Sequence, residues 1–254
     1  PWGMVTNGLA MTPKRFHSLL AAGMHTATVS LDGLAEEHNY MRGNTRSFDH
    51  AVEAIRLMGA QPGFVFDVVT CVNRRNLKQL DQIKQLLVEL VVKEWRLFTI
   101  FPVGRAAEDP MLQLTKEEYR HLLDYIKQNR QSEKRITLSY ACEGFLGNYE
   151  GDVRNRFYTC NAGVNVASVL VDGSISACTS LRSSYHQGNI YKDDFWEVWE
   201  NGFTAYRNRK WMKQLEPCIN CQLFRYCEGG GMHLRREDGS LMLCHQNKLF
   251  SYLS

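Results

Sequence analysis

The sequence predicts an α/β fold, in which βα units build a parallel sheet, followed by a small cysteine-rich domain. In the first half, short apolar runs alternate with amphipathic helical patterns, as is typical of βα units. After about residue 141 these patterns give way to Gly-, Asn- and Tyr-rich segments that carry most of the cysteines. We therefore predict two domains, residues 1–141 and 142–254.

The predicted elements of the first domain have clear local signals. Thr12 and Pro13 form a helix start, and Thr115 with Glu118 forms a capping box. The nearly continuous apolar run 64–72 is typical of a strand buried on both faces. In order, we predict a strand ending over 3–7, a helix over 13–23, a strand over 26–31, a helix containing 48–58, a strand over 64–72, a helix over 77–88, a strand over 97–101, a helix after residue 115 and a short strand over 136–139.

The second domain shows a hairpin and short helices. Segments 166–171 and 174–178 flank Asp172-Gly173, which favours a two-residue type I′ turn. Helical patterns follow over 195–200 and 204–215. The remaining residues form loops around the cysteines.

Composition excludes several classes of protein. Apolar residues make up 44% of the 254 and charged residues 22%, which is ordinary globular composition. The evenly spread net charge of +3 gives no sign of a nucleic-acid or membrane-surface partner. No apolar run is long enough for a membrane span, and with no export leader in view we expect a cytoplasmic protein. The chain begins at Pro1 within an apparent strand, so we expect a fragment.

Four cysteines have the spacing of metal ligands. Cys218 and Cys221 form a C-x-x-C turn, and Cys227 and Cys244 complete a four-thiolate set. Without an export signal, such spacings hold metal more often than disulfides. The donors suit either tetrahedral zinc or an iron–sulfur cluster, and ligand type alone does not separate the two. Four nearby cationic residues favour the thiolate form: Lys213, Arg225, Arg235 and Arg236.

Two further cysteines, Cys160 and Cys178, bracket the predicted hairpin. The hairpin brings both thiols toward the same end, where they are either ligands or buried structural cysteines.

These residues together carry a resemblance. The cysteine pattern reads C-x12-G-x4-C, then C-x2-C-x5-C and a final cysteine. The other matching segments, in chain order, are 5–8 (VTNG), 29–33 (VSLDG), 38–43 (H-x3-R-G), 47–48 (SF), 102–106 (P-x-G-R-A), 188–190 (GNI) and 195–199 (FWEVW). The ordered set resembles the radical S-adenosylmethionine enzymes that end in a SPASM domain, and the resemblance covers nearly the whole chain.

The resemblance implies a fold and cofactors. Residues 1–141 would be a partial radical S-adenosylmethionine barrel that lacks its first strands, and 142–254 a SPASM domain holding auxiliary [4Fe–4S] clusters. Cys218, Cys221, Cys227 and Cys244 would hold the distal cluster, with Cys160 and Cys178 left for a proximal one.

Five residues are implied to bind S-adenosylmethionine. Ser30 and Asp32 follow a strand and would bond the ribose, or form a helix cap or Asx turn instead. Asn7 ends its strand similarly, with a turn role as the alternative. Arg42 would meet the cofactor carboxylate, or be a solvated surface residue. Gly104, before Arg105, would let a backbone carbonyl approach the adenine.

Two departures from the family pattern are visible. The C-x3-C-x2-C loop of the catalytic cluster is absent from this sequence, and Gly231 stands where the family has another cysteine. Cys142 is a possible substitute ligand or a buried cysteine.

The resemblance implies an oxidoreductase or maturase that modifies a peptide or small protein and takes electrons from a reductant such as flavodoxin or ferredoxin. We expect this chain to bind the distal cluster but not to cleave S-adenosylmethionine alone. The alternative is a non-catalytic zinc-binding module that binds a peptide.

Overall fold

The computed structural model describes residues 2–141 and 144–250. The chain divides into two compact units. The first contains the residues up to Ala141 and Gly151–Asn155, and the second contains the segment ending at Glu150 and the residues from Arg156 onward. Within the described residues, no helix has the length and apolar character needed to span a membrane.

The first unit is built on a five-stranded parallel sheet, as the sequence predicts. The strands follow one another in chain order across the sheet. They are β1 (Trp2–Thr6), β2 (Met24–Ser30), β3 (Val65–Val72), β4 (Glu94–Thr99) and β5 (Thr137–Tyr140). Because all five run parallel, their carboxyl ends lie along one edge of the sheet.

Helices connect these strands. They are α1 (Pro13–Ala21), α2 (Ala35–Arg42), α3 (Ser47–Gly59), α4 (Leu80–Glu89), α5 (Arg105–Glu108) and α6 (Lys116–Ser132). The predicted capping box is present: Glu118 N–H donates to Thr115 Oγ1 over 3.1 Å, and Thr115 N–H donates to the Glu118 carboxylate over 2.8 Å. It closes the first turn of α6, whose buried face includes Tyr119 and Leu123.

The core of this unit lies on one face of the sheet. Val68 and Val72 of β3 are fully buried, whereas Val65 is 64% exposed and Val69 half-buried. The prediction that β3 is buried on both faces is therefore wrong for this structure. Side chains alternate across a strand, and only the residues on the buried face of β3 reach the core.

The second unit contains a small antiparallel sheet and short helices. Its strands are β6 (Ser168–Val169), β7 (Ser174–Ser176) and β8 (Gly188–Asn189). Its helices are α8 (Phe195–Asn201), α9 (Thr204–Arg207), α10 (Phe224–Cys227) and α11 (His245–Phe250), and α7 (Glu150–Val153) lies where the two units divide.

Two predictions about this unit are corrected. The hairpin turn is not type I′, because Gly173 has a positive φ (+82°) but Asp172 does not. Gly173 N–H donates to Leu170 O and Leu170 N–H to Ser174 O, so the loop is longer than two residues. The predicted helix over 204–215 is two pieces, α9 and a 3₁₀ turn at Lys210–Gln214.

Candidate functional site

Four cysteines of the second unit line one small cavity. Cys218, Cys221, Cys227 and Cys244 surround a space of about 30 Å³. Leucines and glycines form much of the remaining wall, among them Leu234, Leu241, Leu243, Gly229 and Gly230. None of the four thiols is in a disulfide. Four soft donors therefore converge on a largely apolar space.

Short turns bring these thiols together. Cys221 N–H donates to Cys218 O over 3.1 Å, which closes the C-x-x-C turn. Cys227 ends α10, and the backbone then reverses through left-handed Glu228 (φ +46°) and Gly229 (φ +79°). Cys244 immediately precedes α11. Each thiol thus sits at a turn or a helix end, where side chains can point inward.

Burial sets the protonation of two of these thiols. Burial raises the pKa of Cys227 to about 11, and the neighbouring cysteines add to the effect. Burial also raises the pKa of Cys244, although backbone N–H groups of Asn247 and Gln246 work against it. Metal binding must therefore displace protons from the cavity.

The four thiols could hold either a cluster or a single ion. Across residues 2–141 and 144–250, no three His, Cys, Asp or Glu side chains form a group that could hold one metal ion. Zinc would need its thiolates at about 2.3 Å from one centre. In a [4Fe–4S] cluster each iron takes one thiolate, so the four sulfurs stand farther apart around a shared space. The shared cavity brings four thiols together, which both kinds of metal group require.

Cys160 and Cys178 are not among the residues that line this cavity. Both pack against a separate buried cluster that includes Phe203 and Tyr206. Burial works to raise the pKa of Cys160, but the Arg209 guanidinium and the backbone N–H of Met232 outweigh it, so this pKa is lowered.

Cys160 therefore lies beside Gly231, because the backbone N–H that reaches its sulfur belongs to the next residue, Met232. Two thiols supply half of a four-thiolate set. Cys142, the possible substitute ligand, lies outside the described residues.

In the first unit, the buried Asp32 carboxylate forms an ion pair with the partly exposed Arg42. Arg42 Nη2 lies 2.6 Å from Asp32 Oδ2, and Cys71 N–H donates to Asp32 Oδ1 over 2.9 Å. The Asp32 side chain is 3% exposed and that of Arg42 30%. Both oxygens of Asp32 are thus engaged inside the protein, and Arg42 still reaches solvent.

The other sequence-predicted residues also follow strand ends. Asn7 comes after β1, is exposed, and accepts a hydrogen bond from Leu9 N–H over 3.1 Å. Ser30 is the last residue of β2 and is half-buried. Gly104 is exposed, has φ +58° and precedes α5. The parallel sheet therefore places Asn7, Ser30 and the Asp32–Arg42 pair at the same edge.

His38 accepts a hydrogen bond at this edge of the sheet, and its protonation should make the stability of the first unit depend on pH. Asp32 N–H donates to His38 Nδ1 over 2.9 Å, which requires a neutral ring nitrogen. Burial lowers the pKa of His38, the Asp32 carboxylate opposes the shift, and Arg42 adds to it. The folded protein therefore holds His38 neutral, while the unfolded chain binds a proton near pH 6.5.

We expect the first unit to lose stability as pH falls below about 6.5. Urea unfolding between about pH 7 and pH 5 measures this dependence. His38→Asn keeps an acceptor but does not titrate, so its dependence should be flatter. His17→Asn, at an exposed histidine, is the control and should match the unmodified chain. Equal slopes for all three proteins would contradict the role of His38.

A family model described as the SPASM iron-sulfur cluster-binding domain matches residues 160–222, which include Cys160, Cys178, Cys218 and Cys221. An AdoMet-dependent heme synthase of Methanosarcina barkeri is 27% identical over 89% of this chain and 68% of its own length. The mycofactocin maturase MftC of Mycobacterium tuberculosis is 27% identical over 89% of this chain and 58% of its own length. Residues 160–222 thus match a SPASM iron-sulfur domain, and most of the chain is similar to radical S-adenosylmethionine enzymes.

Solved structures with low sequence identity share the fold of this chain. The structure of anSMEcpe with bound AdoMet and Kp18Cys peptide matches with a TM-score of 0.66 and 20% identity. The match covers 98% of this chain and 72% of that one. This structural similarity confirms the predicted fold, a partial radical S-adenosylmethionine barrel followed by a small C-terminal domain.

Sequence reasoning missed a polar network on the partly exposed face of the parallel sheet. Asp67 accepts hydrogen bonds from Thr28 Oγ1 (2.6 Å) and from Arg96, which also donates to Thr28 over 3.1 Å. These side chains line an opening of about 490 Å³. Their strands are separated by tens of residues, so the pairing register is needed to see the network.

Proposed function

We propose that this chain is part of an enzyme that uses an S-adenosylmethionine-derived radical and an auxiliary [4Fe–4S] cluster to modify a peptide or small protein. The observation that carries the proposal is the cavity lined by Cys218, Cys221, Cys227 and Cys244. When bound, the two cofactors supply one-electron and radical chemistry, and the protein binds, orients and excludes water.

The residues of the second unit suit the holding of a cluster. Four thiols provide one ligand for each iron, and the leucines of the wall keep water away. Cys221 also lines a neighbouring pocket of about 620 Å³, in which Phe145, Phe157 and Tyr226 provide aromatic surface. That proximity suits electron exchange with a reductant such as a flavodoxin or ferredoxin.

At the sheet edge, we assign Arg42 to the carboxylate of S-adenosylmethionine. The Asp32 carboxylate holds one side of the guanidinium, and the exposed remainder can donate to an anion. Asp32 is then a positioning residue for Arg42 rather than a ribose ligand. Asn7, Ser30 and Gly104 remain candidates for ribose and adenine contacts.

The relatives divide between two substrate classes. A heme synthase and a maturase show the same 27% identity. The solved neighbour with a bound peptide favours a peptide substrate. The proposal further places the enzyme in the cytoplasm. The sequence contains no C-x3-C-x2-C loop, so we expect no S-adenosylmethionine cleavage by this chain alone.

Anaerobic reconstitution with iron and sulfide tests the proposal. We expect about four irons and four sulfides per chain and a broad visible absorption. A non-catalytic zinc-binding module would instead take up one zinc per chain and no sulfide. Stoichiometric zinc with no cluster would overturn the proposed function.

A further inference from the structure

The Arg235 guanidinium lies inside the second unit beside the thiol cavity. Arg235 is 0% exposed. Its Nη2 lies 3.5 Å from the sulfur of Cys218 and donates to Gly229 O over 2.9 Å, and its Nη1 donates to Gly239 O over 2.7 Å. The Trp211 ring covers the group at 5.6 Å. Of the four cationic residues near the cysteines in sequence, Arg235 is the one whose hydrogen bond reaches a cluster thiol.

The buried Arg235 charge has no counter-ion among the side chains that the structure describes. Among the described residues, none of the ion pairs includes Arg235. Its buried Nε has no hydrogen-bond partner. A permanently charged group removed from water without a counter-charge is strongly unfavourable. A nearby negative charge would therefore stabilise the buried Arg235 guanidinium.

The backbone is shaped around this guanidinium. At Gly229, where φ is +79°, a Cβ would lie 2.8 Å from Arg235 Nη2 and 2.3 Å from the sulfur of Met212. A side chain at position 229 would force Met212, Arg235 or both to shift. Gly229 therefore leaves space for the Arg235 guanidinium as well as allowing the left-handed turn.

We propose that Arg235 is the internal counter-ion of the cluster held by Cys218, Cys221, Cys227 and Cys244, and that it sets the reduction potential of that cluster. The inference rests on the proposed function, since it requires a cluster in the cavity. A [4Fe–4S] core with four thiolates is negatively charged, and the charge grows when the cluster accepts an electron. A nearby cation and an N–H donated to a ligand sulfur both favour the reduced form.

The test is a redox titration of the anaerobically reconstituted chain, with dithionite as the electron donor. Arg235→Met removes the charge and the hydrogen bonds, and we expect a shift of the midpoint potential to more negative values. Arg235→Lys keeps the charge and should shift the potential less. Arg236→Met removes a charge from the adjacent, exposed residue and should leave the potential unchanged.

A second readout separates a redox role from a structural one. Thermal unfolding is measured with and without the cluster for each variant. If Arg235 only braces the Gly229 and Gly239 carbonyls, Arg235→Met destabilises both forms equally. If Arg235 is a counter-ion, Arg235→Met should lower the melting temperature of the loaded form more than that of the empty form. In the empty form the buried charge has no compensating anion, so its removal costs less stability. Arg235→Lys provides both measurements if the Met variant does not fold.

The inference and the proposed function fail in different ways. If the unmodified chain takes up no cluster, the proposed function is refuted. If it takes up a cluster, but Arg235→Met at equal iron content has the potential of Arg236→Met, the inference alone is refuted.

Discussion

Serine in place of Cys221 is expected to abolish cluster loading. After reconstitution, iron should fall from about four atoms per chain to near zero, because the hydroxyl is a poor substitute for a soft thiolate and three ligands leave one iron uncoordinated. Cys221 lines the shared cavity, so the substitution acts directly at the proposed site. Iron and sulfide analysis measures the effect directly.

The same substitution should cost the second unit much of its folding free energy. Cluster binding adds to folding stability, since the unfolded chain has no preformed site. After the same reconstitution, the melting transition of Cys221→Ser should therefore fall to that of the empty chain. Cys71→Ser is the matched control, because Cys71 lies in β3 of the first unit. Full iron content in Cys221→Ser with an unchanged melting transition would contradict the ligand assignment.

Alanine in place of Asp32 is expected to destabilise the first unit by about 2–3 kcal/mol. The change leaves Arg42 without its carboxylate and removes the acceptor of Cys71 N–H. A fully buried pair would cost more, but the Arg42 side chain is partly solvated. Urea unfolding of the empty chain measures this loss without any cofactor.

Glu53→Ala is the control for that experiment. Glu53 pairs with Arg56 at 2.6 Å, but both side chains are largely exposed, and such pairs contribute about 0–1 kcal/mol. If both variants lose the same free energy of unfolding, the Asp32–Arg42 pair contributes no more to stability than an exposed surface pair.

The sheet and the grouping of four cysteines around one cavity could be predicted because their signals are local. The capping box at Thr115 and the apolar periodicity need only neighbouring residues, and the spacing of Cys218, Cys221 and Cys227 limits how far their thiols can separate. The turn type predicted for Asp172-Gly173 was wrong because this dipeptide occurs in more than one kind of turn. The hydrogen bonds made by the Leu170 backbone, which the sequence does not reveal, determine the type.

The partners of the charged residues could not be predicted. Nothing in the sequence singles out Arg235 among its neighbours Lys213, Arg225 and Arg236, because burial depends on tertiary packing. For Asp32, the sequence likewise did not distinguish a ribose contact from a helix cap or Asx turn. The structure instead pairs it with Arg42 and with the backbone of Cys71 on the adjacent strand.

The most direct test of the account is a crystal structure of the reconstituted chain, with anomalous scattering recorded at the iron edge. The account predicts a compact group of about four irons inside the cavity, each bound to one of Cys218, Cys221, Cys227 and Cys244. A single zinc atom, or sulfurs joined pairwise as disulfides, would contradict it.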